Sequence, residues 1–451
     1  MKLTITKNTK STLKTKTKHK TIQYMGSKKN LLTFIDSSLY DFLDNVVKDR
    51  SCNSFFDAFS GSGQVANHFK DKFQVITNDK QAFTKVINDA FLCSKANKTR
   101  ITELIEKMNK IPDFYFNQTD RWFTKTYSRD LNDSPVDENG NRKIWLTKNA
   151  KRIDIYRHIL DIWLQTEKIN QDEKNILMVS LILAVNAISN VMGHQNGYLK
   201  DWSKKSQKDI VLEIPEFESN HIFNHKNFQG DVFDTLKKVN SDITYFDPPY
   251  GTNNEKVSCS VRYSSFYHLW NTIVENSRPD VFGKASKPTK TKGFTEPLEK
   301  NKKEEVMPQF IRMIEESRSK YVSFSYSNKS LLTAQDFEEV FRLAGCDMGT
   351  FRIYYTNHKT NSQSKSAKKF GDFIERQNDE EELFEFFIIA KKKPSLSLIN
   401  MSIQNTPEAE SIRWISTIPS NYSIRDKAYG FFYDKTKNMF IQNKYDFSKA
   451  A

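Results

Sequence analysis

The segment Ser241-Asp-Ile-Thr-Tyr-Phe-Asp-Pro-Pro-Tyr-Gly251 decides the fold of this 451-residue chain. Its apolar residues have the length of a short buried strand. Because proline cannot continue a β-ladder, the strand must end at Asp247. A carboxylate, two proline carbonyls and the Tyr250 ring then follow the carboxyl end of the strand. In an open α/β sheet, that edge is where ligands bind.

These groups suit transfer to an exocyclic amine, which is a poor nucleophile because its lone pair is delocalised into an aromatic ring. If Asp247 and the carbonyl of a proline, Pro248 or Pro249, accept the two amine hydrogens, the lone pair is directed at an electrophile. Tyr250 is then placed to stack on the base. A surface loop with a Pro-Pro turn is the alternative interpretation of the same string.

The Asp-Pro-Pro-Tyr string resembles motif IV of the amino-methyltransferases that use S-adenosylmethionine. With Asp in the first position, it is most similar to the N6-adenine DNA methyltransferases. The resemblance implies catalytic roles for Asp247, Pro248, Pro249 and Tyr250, and it also places Asp247 next to the cofactor.

The segment from Phe55 to Ala66 predicts a strand, a tight loop and a helix. Gly61, Gly63 and Ala66 fit the pattern G-x-G-x-x-G/A, in which glycines let the backbone approach a ligand at a helix N-terminus. The segment resembles motif I of the same family, which implies cofactor contacts for Asp57, Phe59, Gly61 and Gly63. A purely structural turn is the alternative.

A second strand, Phe73 to Thr77, is predicted to end at Asn78-Asp79. A carboxylate at this position can hold both ribose hydroxyls of a nucleoside cofactor. Asp79 is similar to the motif II acid of the family. No Gly-Lys-Ser/Thr follows the glycine loop, so the pattern does not support a nucleoside triphosphate site.

Two further segments resemble cofactor-binding motifs. Tyr24-Met-Gly-Ser-Lys predicts a turn before a helix and is similar to motif X, which contacts the methionine end of the cofactor and implies roles for Tyr24, Gly26, Ser27 and Lys28. Asp231 and Val232 resemble an adenine-binding pair, in which the carboxylate accepts from the adenine amine and the backbone N–H meets a ring nitrogen. Asp231 is equally suited to cap a helix over 234–239.

Composition sets the class of protein. A net charge of +14 and a pI of about 9.2 indicate a polyanionic partner, although the lysine-rich composition of an AT-rich genome produces the same excess. The cysteines are far apart and form no CxxC pair, so neither a metal site nor a disulfide framework is expected. No apolar stretch reaches the roughly 18 residues of a membrane span. The cysteine pattern indicates a reducing cytoplasm, and the resemblance implies that this is a bacterial cytoplasm or nucleoid.

The order of the motifs predicts the domain organisation. Motif X, motif I, a long insertion and then Asp-Pro-Pro-Tyr is the arrangement of the alpha group of Dam-like adenine methyltransferases. The resemblance implies an α/β fold with a Rossmann-like class I methyltransferase sheet of seven strands and a largely helical inserted target-recognition domain. The predicted parts are a disordered basic arm at 1–20, a catalytic domain at 21–97 and 225–392, the insert at 98–224, and a C-terminal extension at 393–451.

The resemblance implies a site-specific enzyme that methylates N6 of adenine in double-stranded DNA and belongs to a restriction-modification system with a cognate endonuclease. An RNA or N4-cytosine methyltransferase and a non-catalytic DNA-binding subunit are the alternatives. The loop 189–202 is predicted to contact DNA, because its glycines, amides and aromatic residues follow a buried helix. Residues 283–305 are predicted to be mobile because they are rich in Lys, Pro and Thr.

Overall fold

The computed structural model describes residues 5–7, 22, 26–128, 134–191, 193–195, 199–251, 262–358, 383–393, 431–434 and 439–442. The strands in this part of the chain are β1 Ile5–Lys7, β2 Ser54–Asp57, β3 Gln74–Asp79, β4 Lys226–Gln229, β5 Ile243–Phe246, β6 Val281–Phe282, β7 Lys287–Pro288, β8 Tyr321–Ser327, β9 Cys346–His358, β10 Leu383–Lys392, β11 Phe431–Asp434 and β12 Met439–Gln442. The α-helices are α1 Leu32–Asp41, α2 Gln64–Phe69, α3 Ala82–Asn88, α4 Lys98–Asn109, α5 Trp122–Tyr127, α6 Thr147–Gln165, α7 Gln171–Ile188, α8 Val232–Leu236, α9 Tyr263–Phe266, α10 His268–Glu275, α11 Lys303–Glu316 and α12 Ala334–Leu343.

One eight-stranded sheet organises the molecule, in the order β1-β9-β10-β8-β5-β2-β3-β4. The run from β4 to β8 is parallel, whereas β10 is antiparallel to both of its neighbours, β8 and β9. Seven of these strands form a mixed α/β sheet with an antiparallel hairpin at one edge, which confirms the predicted fold class. The eighth strand, β1, pairs in parallel with β9.

The strand β1 corrects the prediction for the basic arm. Residues 1–20 were expected to be disordered because they are rich in Lys and Thr and poor in apolar residues. Ile5–Lys7 nevertheless extends the edge of the sheet, opposite Ile353 to Tyr355. Backbone hydrogen bonding along an open strand edge requires little of the side chains, so composition alone does not reveal it.

Helices cover both faces of the sheet. On one face, α1 and α2 share a core with Phe55, Tyr245 and Phe387. On the other face, α11 and α12 pack against Phe246 and Phe324. The central strands β5 and β8 are buried along their whole length, because both of their faces are covered in this way.

The segment between β3 and β4 is largely helical, as predicted for the insert. Its long helices α6 and α7 form a third core with Phe83 of α3 and Leu269 of α10. The insert therefore shares its core with the helix that follows β3. The helix α3 ends at Asn88, and a π-helical turn, Asp89–Cys93, follows it.

Residues 283–305, which are predicted to be mobile from their composition, contain short elements of regular structure. β6 and β7 form a short antiparallel pair, and Pro297–Glu299 is a helical turn. Leu298 and Glu299 in that turn are buried. Most of 393–451 lies outside the described residues, apart from the antiparallel pair β11–β12.

Candidate active site

A cleft opens at the carboxyl edge of the sheet, where β2 and β5 are neighbours and the chain continues to opposite sides from them. This is the switch point at which open α/β sheets bind ligands. The predicted site residues that line the cleft are Gly26, Ser27, Lys28, Asp57, Phe59, Gly61, Asp79, Asp231, Val232, Asp247, Pro248, Pro249 and Tyr250. Tyr24 lies outside the described residues. Gly63 is placed behind the wall of the cleft.

The glycine loop after β2 is attached to the end of β3. The Gly61 N–H donates to Asp79 Oδ2 at 2.9 Å, and the Ser60 N–H donates to the Asn78 carbonyl at 2.9 Å. Asp79 also accepts the Gln81 N–H at 2.9 Å. Asp79 is thus held rigidly at the rim of the cleft, and it fixes the conformation of the loop opposite.

Gly63 supports the loop from behind. Its φ of +73° is left-handed, and a Cβ placed there would lie 2.3 Å from Asn88 Oδ1. Asn88 in turn donates to Ser60 Oγ at 2.9 Å. The second glycine of the motif is therefore needed for close packing between the start of α2 and the end of α3.

Replacing Gly63 by alanine should destabilise the protein more than the same change at Gly140. Both glycines have a left-handed φ, but nothing lies near a Cβ at Gly140. The left-handed conformation alone costs a non-glycine residue about 1–2 kcal/mol. Overpacking against Asn88 should add at least about 1 kcal/mol for Gly63→Ala. Urea unfolding of the two variants measures the difference, and equal free energies of unfolding would show that Asn88 moves aside freely.

Asp57 is a buried carboxylate at the end of β2. It is 1% exposed, and its Oδ1 has no hydrogen-bond partner among the described residues. Burial, together with the nearby Asp247 and Asp79, raises the pKa of Asp57 well above its usual range. Asp57 lines the cleft, so its unpartnered Oδ1 suits a ligand that carries a cationic hydrogen-bond donor.

Lys28 forms an ion pair with Asp247. Its Nζ lies 2.9 Å from Asp247 Oδ1, and the two side chains are 3% and 17% exposed. The Nζ also donates to the Gly26 carbonyl at 3.3 Å. Burial alone would lower the pKa of Lys28, but the attraction of Asp247, with a smaller contribution from Glu385, outweighs it and raises the pKa well above the ordinary value. Lys28 is therefore a cation that faces the catalytic motif.

Tyr250 forms the wall of the cleft next to this ion pair. Its ring centroid is 4.9 Å from that of Tyr326 and 5.7 Å from Lys28 Nζ. Burial raises the pKa of Tyr250, so its hydroxyl is neutral at physiological pH. Tyr263 also lines the cleft. Its hydroxyl would lie 3.2 Å from a Cβ at Gly26, so Tyr263 and Gly26 are close neighbours in the cleft wall.

Asp231 has the predicted helix-capping environment. It is the N-cap of α8 and accepts the Phe233 N–H at 3.0 Å, so its helix-capping role is confirmed. It also lines the cleft with Val232. The helix α8 begins at Val232 instead of Asp234, because its N-cap, Asp231, lies only two residues after the end of β4. The two interpretations are compatible, since only one carboxylate oxygen accepts from the backbone.

A segment that no motif predicted, 296–299, forms the outer wall of the cleft. Glu296 pairs with Lys80 at 2.8 Å, and Glu299 accepts the Tyr263 N–H at 2.7 Å. A Cβ at Gly251 would lie 2.5 Å from the Lys300 carbonyl, so the end of the Asp-Pro-Pro-Tyr-Gly string touches this segment directly. Burial raises the pKa of Glu299 to about 7. The only signal in the sequence is the Glu-Pro pair, which is typical of a helical turn start.

The predicted DNA-contact loop is partly described. Gln195 is 1% exposed, its N–H donates to the Phe266 carbonyl at 2.8 Å, and its Oε1 accepts the Leu269 N–H at 2.6 Å. Gln195 therefore anchors the loop to α9 and α10 and does not face solvent. His194 stacks on Phe266, with ring centroids 4.5 Å apart.

Over the described residues, no group of three or more His, Cys, Asp or Glu side chains is arranged to hold a metal ion. A search of the same residues finds no helix with the length and hydropathy needed to span a membrane.

The chain is similar to one protein family and to several known proteins. A family model described as D12 class N6 adenine-specific DNA methyltransferase matches residues 24–335. Type II methyltransferase M.FokI of Planomicrobium okeanokoites is 30% identical over 352 residues, 77% of this chain and 51% of that protein. Modification methylase LlaI of Lactococcus lactis subsp. lactis is 26% identical over 366 residues, 78% of this chain and 54% of that protein. Type II methyltransferase M.NlaIII of Neisseria lactamica is 25% identical over 354 residues, 76% of this chain and 96% of that protein.

The chain spans about half the length of M.FokI and LlaI and nearly all of M.NlaIII. The range matched by the family model contains every segment that lines the cleft, from Gly26 to Gln309. It ends at residue 335, so β9 and β10 lie beyond it.

Proposed function

This chain belongs to the D12 class N6 adenine-specific DNA methyltransferases, and from that membership we propose that it transfers a methyl group from S-adenosylmethionine to N6 of adenine in double-stranded DNA. The observation that carries the proposal is that Asp247 and Tyr250 line the same cleft as the glycine loop. A hydrogen-bond acceptor and a stacking surface thus stand where a nucleoside cofactor and a base can meet.

The residues of the cleft fit S-adenosylmethionine. The unpartnered Oδ1 of Asp57 suits the ammonium of the methionine moiety, because a buried carboxylate gains most from a charged donor. Asp79 at the end of β3 suits the ribose hydroxyls, and Val232, Phe233 and Leu298 offer an apolar surface for the adenine. When bound, the cofactor supplies a methyl group activated by a sulfonium.

In the proposed reaction, Asp247 and the carbonyl of Pro248 accept the two hydrogens of the target amine and direct its lone pair. Lys28 holds Asp247 Oδ1, so the orientation of the carboxylate is fixed before the base arrives. Methyl transfer would leave the amine with one proton to lose, and Asp247, which accepts one of the amine hydrogens, is the residue placed to take that proton. Water is kept from the reacting atoms by Tyr250 and Tyr263.

The insert between β3 and β4 is the proposed target-recognition domain, because it is the largest part of the chain outside the sheet and its flanking helices. Its loop at 193–195 is anchored to α9 and α10 by Gln195. Tyr263 of α9 lines the cleft. A base recognised by the insert would therefore lie close to Asp247.

The proposal includes a role in a restriction-modification system, with a cognate endonuclease as the functional partner. It is supported by the names of the relatives, which are Type II methyltransferases and modification methylases. The location that follows from such a role is the bacterial cytoplasm or nucleoid.

Asp79→Ala should weaken S-adenosylmethionine binding about tenfold to a hundredfold, because losing a charge-assisted contact costs about 1.5–3 kcal/mol. The same change frees the Gly61 N–H, so Asp79→Asn, which keeps an acceptor, should lose less. Calorimetry measures the dissociation constants. Asp71→Ala, at an exposed acid on the turn before β3, is the matched control. An unchanged constant for Asp79→Ala would remove Asp79 from the cofactor site.

Expression of the chain in a host without DNA methylation, followed by single-molecule sequencing of the host DNA, tests the function. We expect N6-methyladenine at one recurring sequence, which also gives the recognised target. Methylated cytosine or methylated RNA instead would favour the other amino-methyltransferases. No modification, together with no binding of S-adenosylmethionine in calorimetry, would favour a non-catalytic DNA-binding subunit.

A further inference from the structure

A buried acid, Glu385, lies behind the catalytic cleft on β10. It is 7% exposed and stands opposite Ser327, the last residue of β8, and Thr356 of β9. Its Oε2 has no hydrogen-bond partner within the described ranges. An unsatisfied carboxylate oxygen inside a sheet costs stability, so its presence calls for a functional explanation.

Glu385 shares a face of the sheet with Asp247. Side chains alternate along a strand, and Phe387 and Ile389 pack in the core formed with α1, so Glu385 points to the same side. Tyr245 belongs to that core as well, and Asp247 follows it by two residues. The strands β5 and β10 are separated only by β8, a distance of about 10 Å at ordinary strand spacing.

Lys28 lies on this face, in the turn that precedes α1. Its Nζ contacts Asp247, and its pKa is raised by both Asp247 and Glu385. The charged groups that act on Glu385 are the same two, Lys28 from the segment before α1 and Asp247 from the end of β5. The Lys28 ammonium therefore contacts one buried carboxylate, Asp247, and lies within the electrostatic influence of a second, Glu385.

We propose that Glu385 is a positioning residue that acts on Asp247 through Lys28. The negative charge of Glu385 offsets part of the positive charge of the Lys28 ammonium, so that less of this positive charge acts on the Asp247 carboxylate. The inference rests on the proposed function. A carboxylate fully paired with a buried cation is a weak acceptor, whereas one that shares the cation remains a strong one. Positive charge moves from the sulfur to the target amine during methyl transfer, and the additional negative charge near Asp247 stabilises it there.

The ionisation of Glu385 links activity to pH. Burial raises the pKa of Glu385 to about 7, Lys28 opposes the rise and Asp247 adds to it. The raised pKa means that the folded protein favours the protonated acid, so ionisation costs stability as the pH rises toward and through 7. Ionised Glu385 is the form that supports Asp247. We therefore expect kcat to rise through pH 7 in a step that depends on Glu385.

Glu385→Gln should be slower yet more stable than the wild type. At pH 8 its kcat should fall about tenfold and the step in kcat near pH 7 should disappear, while the dissociation constant for S-adenosylmethionine stays within about twofold. Its melting temperature should exceed that of the wild type at pH 8 and approach it at pH 5. Glu385→Asp, which keeps the charge, should recover part of the kcat and of the pH step.

The experiment uses the full chain and measures kcat between pH 6 and 9, thermal unfolding at pH 5 and 8, and cofactor binding by calorimetry. Glu315→Gln is the matched control, because burial also raises the pKa of that acid but it lies near Lys392 at the other end of β10. Wild-type kcat and an unchanged pH step in Glu385→Gln, or a lowered melting temperature at pH 8, would overturn the role of Glu385. An inactive wild type would overturn the proposed function as well.

Discussion

Replacing Asp247 by asparagine should lower kcat by about a hundredfold to a thousandfold, the usual cost of removing one group that stabilises the charge of a transition state. Asparagine has nearly the same shape, so the cleft should keep its form. It is a weaker acceptor, however, and its amide can turn a donor toward the target amine. Single-turnover methyl transfer onto a DNA duplex that contains the target, at saturating S-adenosylmethionine, measures the effect.

The ion pair with Lys28 complicates a larger truncation. Asp247→Ala would remove the one carboxylate in contact with the buried Lys28 ammonium, and breaking such a pair typically costs about 3–5 kcal/mol of stability. The double variant Asp247→Asn with Lys28→Met removes both charges. It should regain the stability that Asp247→Asn loses but none of the activity. If the double variant recovered turnover, loss of fold and not loss of the acceptor would explain the inactive single variant.

Tyr250→Ala should lose most activity, whereas Tyr250→Phe should remain active. The target adenine must leave the helix to reach Asp247, because N6 is inaccessible to it while the base is paired and stacked. Stacking of a flipped base on an aromatic ring is worth about 1–3 kcal/mol, and a ring without a hydroxyl stacks nearly as well. The alanine change also removes the packing of Tyr250 on Tyr326, so thermal unfolding of both variants is the necessary control.

Fluorescence of 2-aminopurine at the target position tests the flipping step directly. Emission should rise when the wild-type protein binds, because the probe loses its neighbours in the duplex, although Tyr250 quenches part of it. Tyr250→Ala should then be brighter and slower. Equal turnover of Tyr250→Ala and the wild type, with no fluorescence change in either, would contradict both the stacking role and base flipping.

The sequence predicted those parts of the site that stand at the ends of strands. Asp57, Asp79 and Asp247 each follow a short apolar run, and parallel strands bring their carboxyl ends to one edge. The partner of Lys28 could not be predicted in the same way. Its contact with Asp247 depends on how the turn before α1 lies across the end of β5, and no local pattern determines that placement.

Other features depend on packing between distant segments. The wall formed by Glu296 and Glu299 follows from contacts with Lys80 and Tyr263. Gly63 fits a cofactor motif, but the sequence does not show that its close neighbour is Asn88. That contact depends on how the end of α3 packs against the start of α2. β1 escaped prediction because its three residues are too few to form a clear pattern and the segment around them is dominated by Lys and Thr.

The position of β10 between β8 and β9 has a consequence for synthesis of the protein. Lys28 is synthesised long before Glu385, and in the proposal above both act on Asp247 at the end of β5. Until the ribosome has released the chain through β10, β8 and β9 have open hydrogen-bonding edges. Over the same period Lys28 lacks the nearby carboxylate of Glu385. Such long-range closure is slow and leaves a nascent sheet prone to mispairing. A nascent chain stalled before β10 should therefore be protease-sensitive and unable to methylate DNA, however complete its cofactor cleft.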